Sequence, residues 1–95
     1  MVLHTLNQCG TALESCLRAL GPGDSLLLIE DAVYAACSGH EQQALLQACP
    51  AVVHALEEDV SARGIRERID NNVQLSNYKG FVALVANSSN VVSWY

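Results

Sequence analysis

Cysteine is the residue type in this chain whose chemistry and spacing invite a role. There are four, Cys9, Cys16, Cys37 and Cys49, and no two form a C-x-x-C pair. A zinc module brings its ligands in close pairs, and a disulfide reductase carries a resolving cysteine two residues along. A secreted domain uses such residues as staples. What remains is either a buried, inert thiol that packs as a small hydrophobe or the chemistry of a single thiolate, a nucleophile governed by its pKa and its access. Cys16 is the candidate, because it falls within Thr-Ala-Leu-Glu-Ser-Cys-Leu-Arg, residues 11 to 18, a run of helical character. It lies one position off the stripe of Leu13, Leu17 and Leu20, so it is expected to border solvent rather than fill the core. It stands beyond the first turn, where the helix dipole lowers a thiol pKa only weakly. Arg18 is on another face and pairs more simply with Glu14, a contact worth about 0.3–0.5 kcal/mol.

Other chemistries have less behind them. Cys37, His40, Cys49 and His54 could be imagined as metal ligands, but their spacing fits no zinc motif. No metal and no organic cofactor is expected. Cys37 and Cys49 read as packing residues, and His4 and His54 as hydrogen-bonded core or interface residues. Gly21-Pro22-Gly23 leads from a helix into a strand, the reverse of a phosphate cradle. Glu30-Asp31 and Glu57-Glu58-Asp59 suit the first turns of helices, where the dipole favours acids.

The elements that must position these groups alternate. Strands are predicted at Val2–Leu6, Ser25–Ile29, Ala51–Leu56, Val73–Leu75 and Val91–Trp94. Between them, helices are predicted at Thr11–Leu20, from Asp31 through Cys37, Glu41–Ala48, Glu57–Arg63 and Tyr78–Ala86. Thr11 and Glu14 have capping-box spacing. The nearly continuous apolar runs at 25–29 and 51–56 mark strands buried on both faces. Strand–helix alternation with short links implies parallel pairing. The predicted fold is a small three-layer α/β sandwich with a mostly parallel sheet of about five strands. Residues 1–95 form a single domain on this reading. Ligands in such sheets bind beyond the carboxyl ends of the strands. That directs attention to Asn7–Gly10, Glu30-Asp31 and Glu57–Asp59.

Composition narrows the partners. Apolar residues make up 51% of the 95 residues and charged residues 16%. A domain this small has difficulty hiding that much apolar surface alone, so burial against other subunits is expected. The terminus Val91-Val92-Ser93-Trp94-Tyr95 suits an interface core. With a net charge of −5 and five scattered basic residues, the chain lacks a footprint for nucleic acid. Any RNA is expected to be reached through another protein. No basic leader and no long apolar run is visible, which points to a cytoplasmic chain without a membrane segment.

Read end to end, the sequence resembles the TusB/DsrH family of sulfur-relay proteins, within the DsrE-like fold group. The resemblance rests on Leu3-His4-Thr5-Leu6, Leu13-Glu14-Ser15-Cys16-Leu17, and Glu30-Asp31-Ala32-Val33-Tyr34-Ala35-Ala36. It continues through the run from Leu56 to Gly64, Tyr78-Lys79-Gly80-Phe81-Val82 and Val92-Ser93-Trp94. No single segment is diagnostic; their order and the matching length carry the likeness. Where the family often has Ser-Pro after the first strand, this chain has Cys9-Gly10.

The resemblance implies a heterohexamer, two copies each of three related subunits, with TusC/DsrF-like and TusD/DsrE-like partners. Sulfur passes as a cysteine persulfide, with small sulfur-carrier proteins engaging the complex. It ends in 2-thiouridine at the wobble position of certain tRNAs, or feeds dissimilatory sulfur oxidation. The principal persulfide cysteine belongs to the TusD/DsrE-type subunit. The position matching Cys16 is cysteine in DsrH-like members and can be apolar in TusB-like ones. The resemblance therefore makes Cys16 a candidate persulfide carrier in a sulfurtransferase complex. The alternative is a non-catalytic structural subunit in which Cys16 is incidental.

Overall fold

The computed structural model describes residues 1–94; Tyr95, part of the apolar terminus noted above, lies outside the described residues. Strands β1 (Val2–Leu6), β2 (Ser25–Leu28), β3 (Val52–Leu56), β4 (Gln74–Ser76) and β5 (Asn90–Trp94) form one sheet in the order β4-β3-β2-β1-β5. Every pairing is parallel. The chain steps from β1 to β4 in one direction, then returns past β1 to lay down β5. Parallel strands need crossovers, and their right-handed sense sends the first three to one face of the sheet and the last to the other.

The first face carries α1 (Thr11–Ala19), a 3-10 segment at Glu30–Ala36, α2 (Gln43–Gln47) and α3 (Glu57–Ala62). The paired registers place Leu6, Leu28 and Ala55 on one level, with Leu26 and Val53 below. All five join Leu13, Cys16, Ala32, Val33, Leu46, Val60 and Ile65 in one core cluster. Each fully buried Leu or Val contributes about 1.5–3 kcal/mol. The alternate residues Leu3, Leu27 and Leu56 are also buried but face the other way, as the two-residue period requires. That is the face over which the return crossover, carrying α4 (Tyr78–Asn87), is sent.

The five strands and the α/β class match the sequence reading, and the sheet is wholly parallel. Three local expectations are corrected. Thr11 does not cap α1: the N-cap is Gly10, at φ 84°, without a side-chain cap bond. Gln42 takes over that work through a two-point clamp. Its Oε1 accepts from Gly10 N–H at 2.8 Å, and its Nε2 donates to Gly10 C=O at 3.1 Å. The segment after β2 is a 3-10 coil rather than an α-helix, entered through Glu30 at φ 50°. Ala32, Val33, Ala35 and Ala36 all turn inward there, and their small volume lets the tighter coil lie close to the sheet. Finally, the helix expected over 41–48 is regular only at Gln43–Gln47.

Candidate functional site

The carboxyl ends of the strands bring together the three loops expected from the sequence. Cys9 Sγ lies 3.5 Å from the carbonyl of Asp31. Glu30 N–H donates to Asp59 Oδ2 at 2.7 Å, which holds the left-handed backbone of Glu30 in place. Arg63 binds the arrangement together. Its Nε and Nη2 reach Asp31 Oδ1 at 3.1 and 2.9 Å, its Nη1 reaches the Asp59 carbonyl at 3.3 Å, and its plane lies 6.0 Å from the Tyr34 ring. The acids read as first-turn residues thus do a second job, tying the β2 loop to α3. At the end of β1, Asn7 Oδ1 is buried without a partner among the described residues.

Cys16 is elsewhere. It is 0% exposed and sits inside the main core cluster, which corrects the expectation that it borders solvent. The buried seam of α1 is Leu13, Cys16 and Leu20, while Leu17 is only partly buried. That seam follows the i, i+3, i+7 spacing, rotated by one position from the all-leucine stripe. Burial pushes the Cys16 thiol up to about 11, and nearby Cys49 adds to the shift. Burial also raises Cys9, Cys37 and Cys49. Cys9 and Cys49 are half-buried and Cys37 is buried.

The residues once imagined as metal ligands are not drawn together. Cys37 and Cys49 belong to the α1–α3 side of the sheet. His54 follows Val53 in β3 and so points to the opposite face, where its Nδ1 meets Ser76 Oγ at 2.9 Å. Burial lowers the His54 pKa. His40 Nδ1 accepts from Gln42 N–H at 3.1 Å.

One cluster was invisible to sequence reading because its members are distant along the chain. His4 Nδ1 accepts from Trp94 Nε1–H at 3.1 Å, and the rings stack at 6.2 Å and 21°. With Nδ1 accepting, the ring proton is on Nε2, which lies 3.5 Å from Asp24 Oδ2. Asp24 also accepts from Val2 and Gly21 N–H at 3.2 and 3.0 Å, and these backbone bonds hold its carboxyl below the usual carboxylate range. The group fastens β5 to β1 and to the turn before β2.

Residues 8–91 match the family model described as DsrH like protein. The chain belongs to the TusB/DsrH family. Protein TusB of Salmonella typhimurium and Protein TusB of Salmonella enteritidis are each 37% identical to it over 95 residues, covering 98% of this chain and 100% of the relative. Among solved structures, the Escherichia coli ychN protein superposes with a TM-score of 0.77 at 17% identity, over 97% of this chain and 96% of that one. Protein Tm0979 of Thermotoga maritima does so with a TM-score of 0.66 at 27% identity, over 93% and 94%. These likenesses support the three-layer parallel architecture. TusB/DsrH membership places the chain among sulfur-relay subunits. Among the described residues, no helix is long and apolar enough to cross a membrane.

Proposed function

We propose that this TusB/DsrH chain is a structural subunit of a cytoplasmic sulfur-relay complex that passes persulfide sulfur toward 2-thiolation of wobble uridine in tRNA. Its partners on this reading are TusC/DsrF-like and TusD/DsrE-like subunits, with small sulfur carriers engaging the complex and tRNA reached only indirectly. The observation that carries the structural role is the burial of Cys16. A thiol must ionise before it attacks a persulfide. Burial pushes its pKa up to about 11, so at neutral pH Cys16 is overwhelmingly the unreactive thiol. It also has no exposed surface through which a donor persulfide could approach.

The second reading makes Cys16 the persulfide carrier of this chain. It is favoured by the cysteine in Leu13-Glu14-Ser15-Cys16-Leu17, the segment that resembles the DsrH branch. It requires α1 to lift from the sheet so that Cys16 can take a terminal sulfur and pass it to an acceptor thiolate.

The test is a strain lacking the gene, complemented with wild type, Cys16→Val or Cys16→Ala, with tRNA 2-thiouridine measured by mass spectrometry. Cys16→Val keeps the core filled, Cys16→Ala leaves a small void, and both remove the sulfur. The expected result is loss of thiouridine in the deletion and full restoration by wild type and Cys16→Val. Loss with both variants, in protein that remains folded and assembled, supports the carrier reading instead. Thiouridine unchanged by the deletion, in an organism whose neighbouring genes encode sulfite reductase, points to sulfur oxidation.

A further inference from the structure

Histidine is the side chain that changes charge between pH 5 and 8, and His4 is placed where that change has a structural consequence. Its ring is buried and lies between two groups that favour opposite protonation states. The Trp94 indole N–H donates to Nδ1 at 3.1 Å. An indole nitrogen only donates, so this bond exists only while Nδ1 is bare and the ring uncharged. On the other side Asp24 Oδ2 stands 3.5 Å from Nε2, and a carboxylate so close favours the imidazolium. The backbone bonds that hold the Asp24 carboxyl below the usual range keep it ionised when His4 takes a proton. Protonation then sets two N–H donors against each other where one hydrogen bond had been.

The partners are not equally free to give way. His4 is central in β1, opposite Leu26 of β2 and Val92 of β5. Asp24 is tied to the backbone of Val2 and Gly21. Trp94 ends β5, an edge strand that pairs with β1 alone, and is only partly buried against the main core. The start of β5 has its own anchorage, since Ser89 N–H and Oγ both reach the Met1 carbonyl at 2.8 Å. Near its carboxyl end the other side-chain tie is the contact of the Thr5 and Ser93 hydroxyls at 3.2 Å. No other charged side chain comes from β1, β2 or β5. Glu14 and Arg18, the charged residues of α1, line the flank of that helix beside Leu45 of α2. Lys79 belongs to α4, on the crossover sent over the opposite face.

We propose that His4 and Trp94 form a proton-operated latch: the uncharged ring holds the carboxyl end of β5 against β1, and protonation at Nδ1 releases Trp94 while His4 stays with Asp24. The opening is local. The central strands keep their pairings, and the start of β5 keeps its tie to Met1. What is uncovered is the margin of the main core against which Trp94 packs. The latch does not depend on the sulfur-relay role.

NMR of the isotope-labelled full chain from about pH 8 to about pH 5 tests the latch. Trp94 is the only tryptophan, so its indole N–H gives one signal. The His4 ring and the indole N–H are expected to shift with a single midpoint. Exchange of the indole proton with solvent should quicken as pH falls, while amides of β2 slow, as base-catalysed exchange requires. Trp94→Phe removes the donor and keeps an aromatic ring, and His4 should then protonate at higher pH. Asp24→Asn should move protonation to lower pH. His4→Asn offers an amide oxygen in place of Nδ1 and nothing to titrate, so the indole signal should stay constant across the range. Trp94→Phe leaves β1 intact and carries the test if His4→Asn does not fold. An indole N–H indifferent to pH while His4 titrates overturns the proposal. So does a His4 midpoint unmoved by Trp94→Phe, or a His4 that stays uncharged until the whole fold is lost. Loss of β2 and β3 amide protection together with the indole shift overturns it too, since release would then be unfolding. Thiouridine content reads the relay role separately.

Discussion

The chain up to Ile65 and the chain beyond it are built on different terms. Every buried residue lies between Leu3 and Ile65, and no described residue after Ile65 reaches that state. The first region packs the main core between two layers, while the second adds both edge strands, β4 and β5, and a helix whose outer side faces solvent. Folding one chain therefore satisfies the first region and leaves the second incomplete. Composition announces this: 51% apolar residues is more than one small domain can enclose. The structure shows where the excess lies.

The contrast is sharpest in the response to truncation. Leu28 is central in the sheet, fully buried, and packed in the main cluster. Leu28→Ala should cost about 2–5 kcal/mol, from lost transfer energy and the cavity left behind. Urea unfolding followed by Trp94 emission measures it. A loss near that of a surface substitution would mean that the first region is looser than its packing indicates.

Much of this was legible in the sequence. The runs at Ser25–Ile29 and Ala51–Leu56 read as strands because parallel strands are covered on both faces, and strand–helix alternation implied the parallel sheet. What escaped depended on tertiary position. Leu13, Leu17 and Leu20 form as good a stripe as Leu13, Cys16 and Leu20, because cysteine is also a small hydrophobe. Only the docked helix shows which one faces the sheet. The clamp by Gln42 replaces a cap that local spacing assigned to Thr11. The His4–Trp94 bond joins opposite ends of the chain, and no periodicity reports such a contact.

Cysteine substitution probes the same boundary with a smaller effect. Cys16→Ser places a hydroxyl in an apolar core and should cost about 1–3 kcal/mol. Cys9→Ser, in a half-buried loop position, should change stability by about 0.5 kcal/mol or less. Alkylation by iodoacetamide in the native state, mapped by peptide mass, should modify Cys9 before Cys37 and Cys16. Cys16 reacting as fast as Cys9 would show that α1 opens readily, and would favour the carrier reading over the structural one.

Acid should weaken both regions at their seams. Asp24 holds Val2 and Gly21, and Asp70 accepts from Asn72 N–H and from the side chains of Gln43 and Gln47. These hydrogen bonds keep both carboxyls below their ordinary pKa. A depressed carboxyl contributes stability above its unfolded pKa, near 4, and loses it as pH falls through the lower folded value. Stability should therefore decline progressively below about pH 4, and Asp24→Asn and Asp70→Asn should each flatten that decline. An unaltered acid limb in both variants would place the acid sensitivity elsewhere.

The smallest effect is expected at the most exposed apolar side chain. Val82 is 68% exposed on α4, in a helix where valine is a poor former and serine comparable. In a dilute monomer, Val82→Ser removes little contact and little propensity. Its stability should stay within about 0.5 kcal/mol of wild type, against several for Leu28→Ala. The comparison becomes informative when the same variant is placed among its subunits. Removing an exposed valine leaves an isolated chain almost unchanged, but it weakens any contact that buries that side chain, by up to about 1.5–3 kcal/mol. Melting the free chain and the assembled complex side by side separates the two cases. A loss confined to the assembly shows that α4 completes its burial there. A neutral result in both would mean that the outer side of α4 stays open to solvent even when the subunits have met.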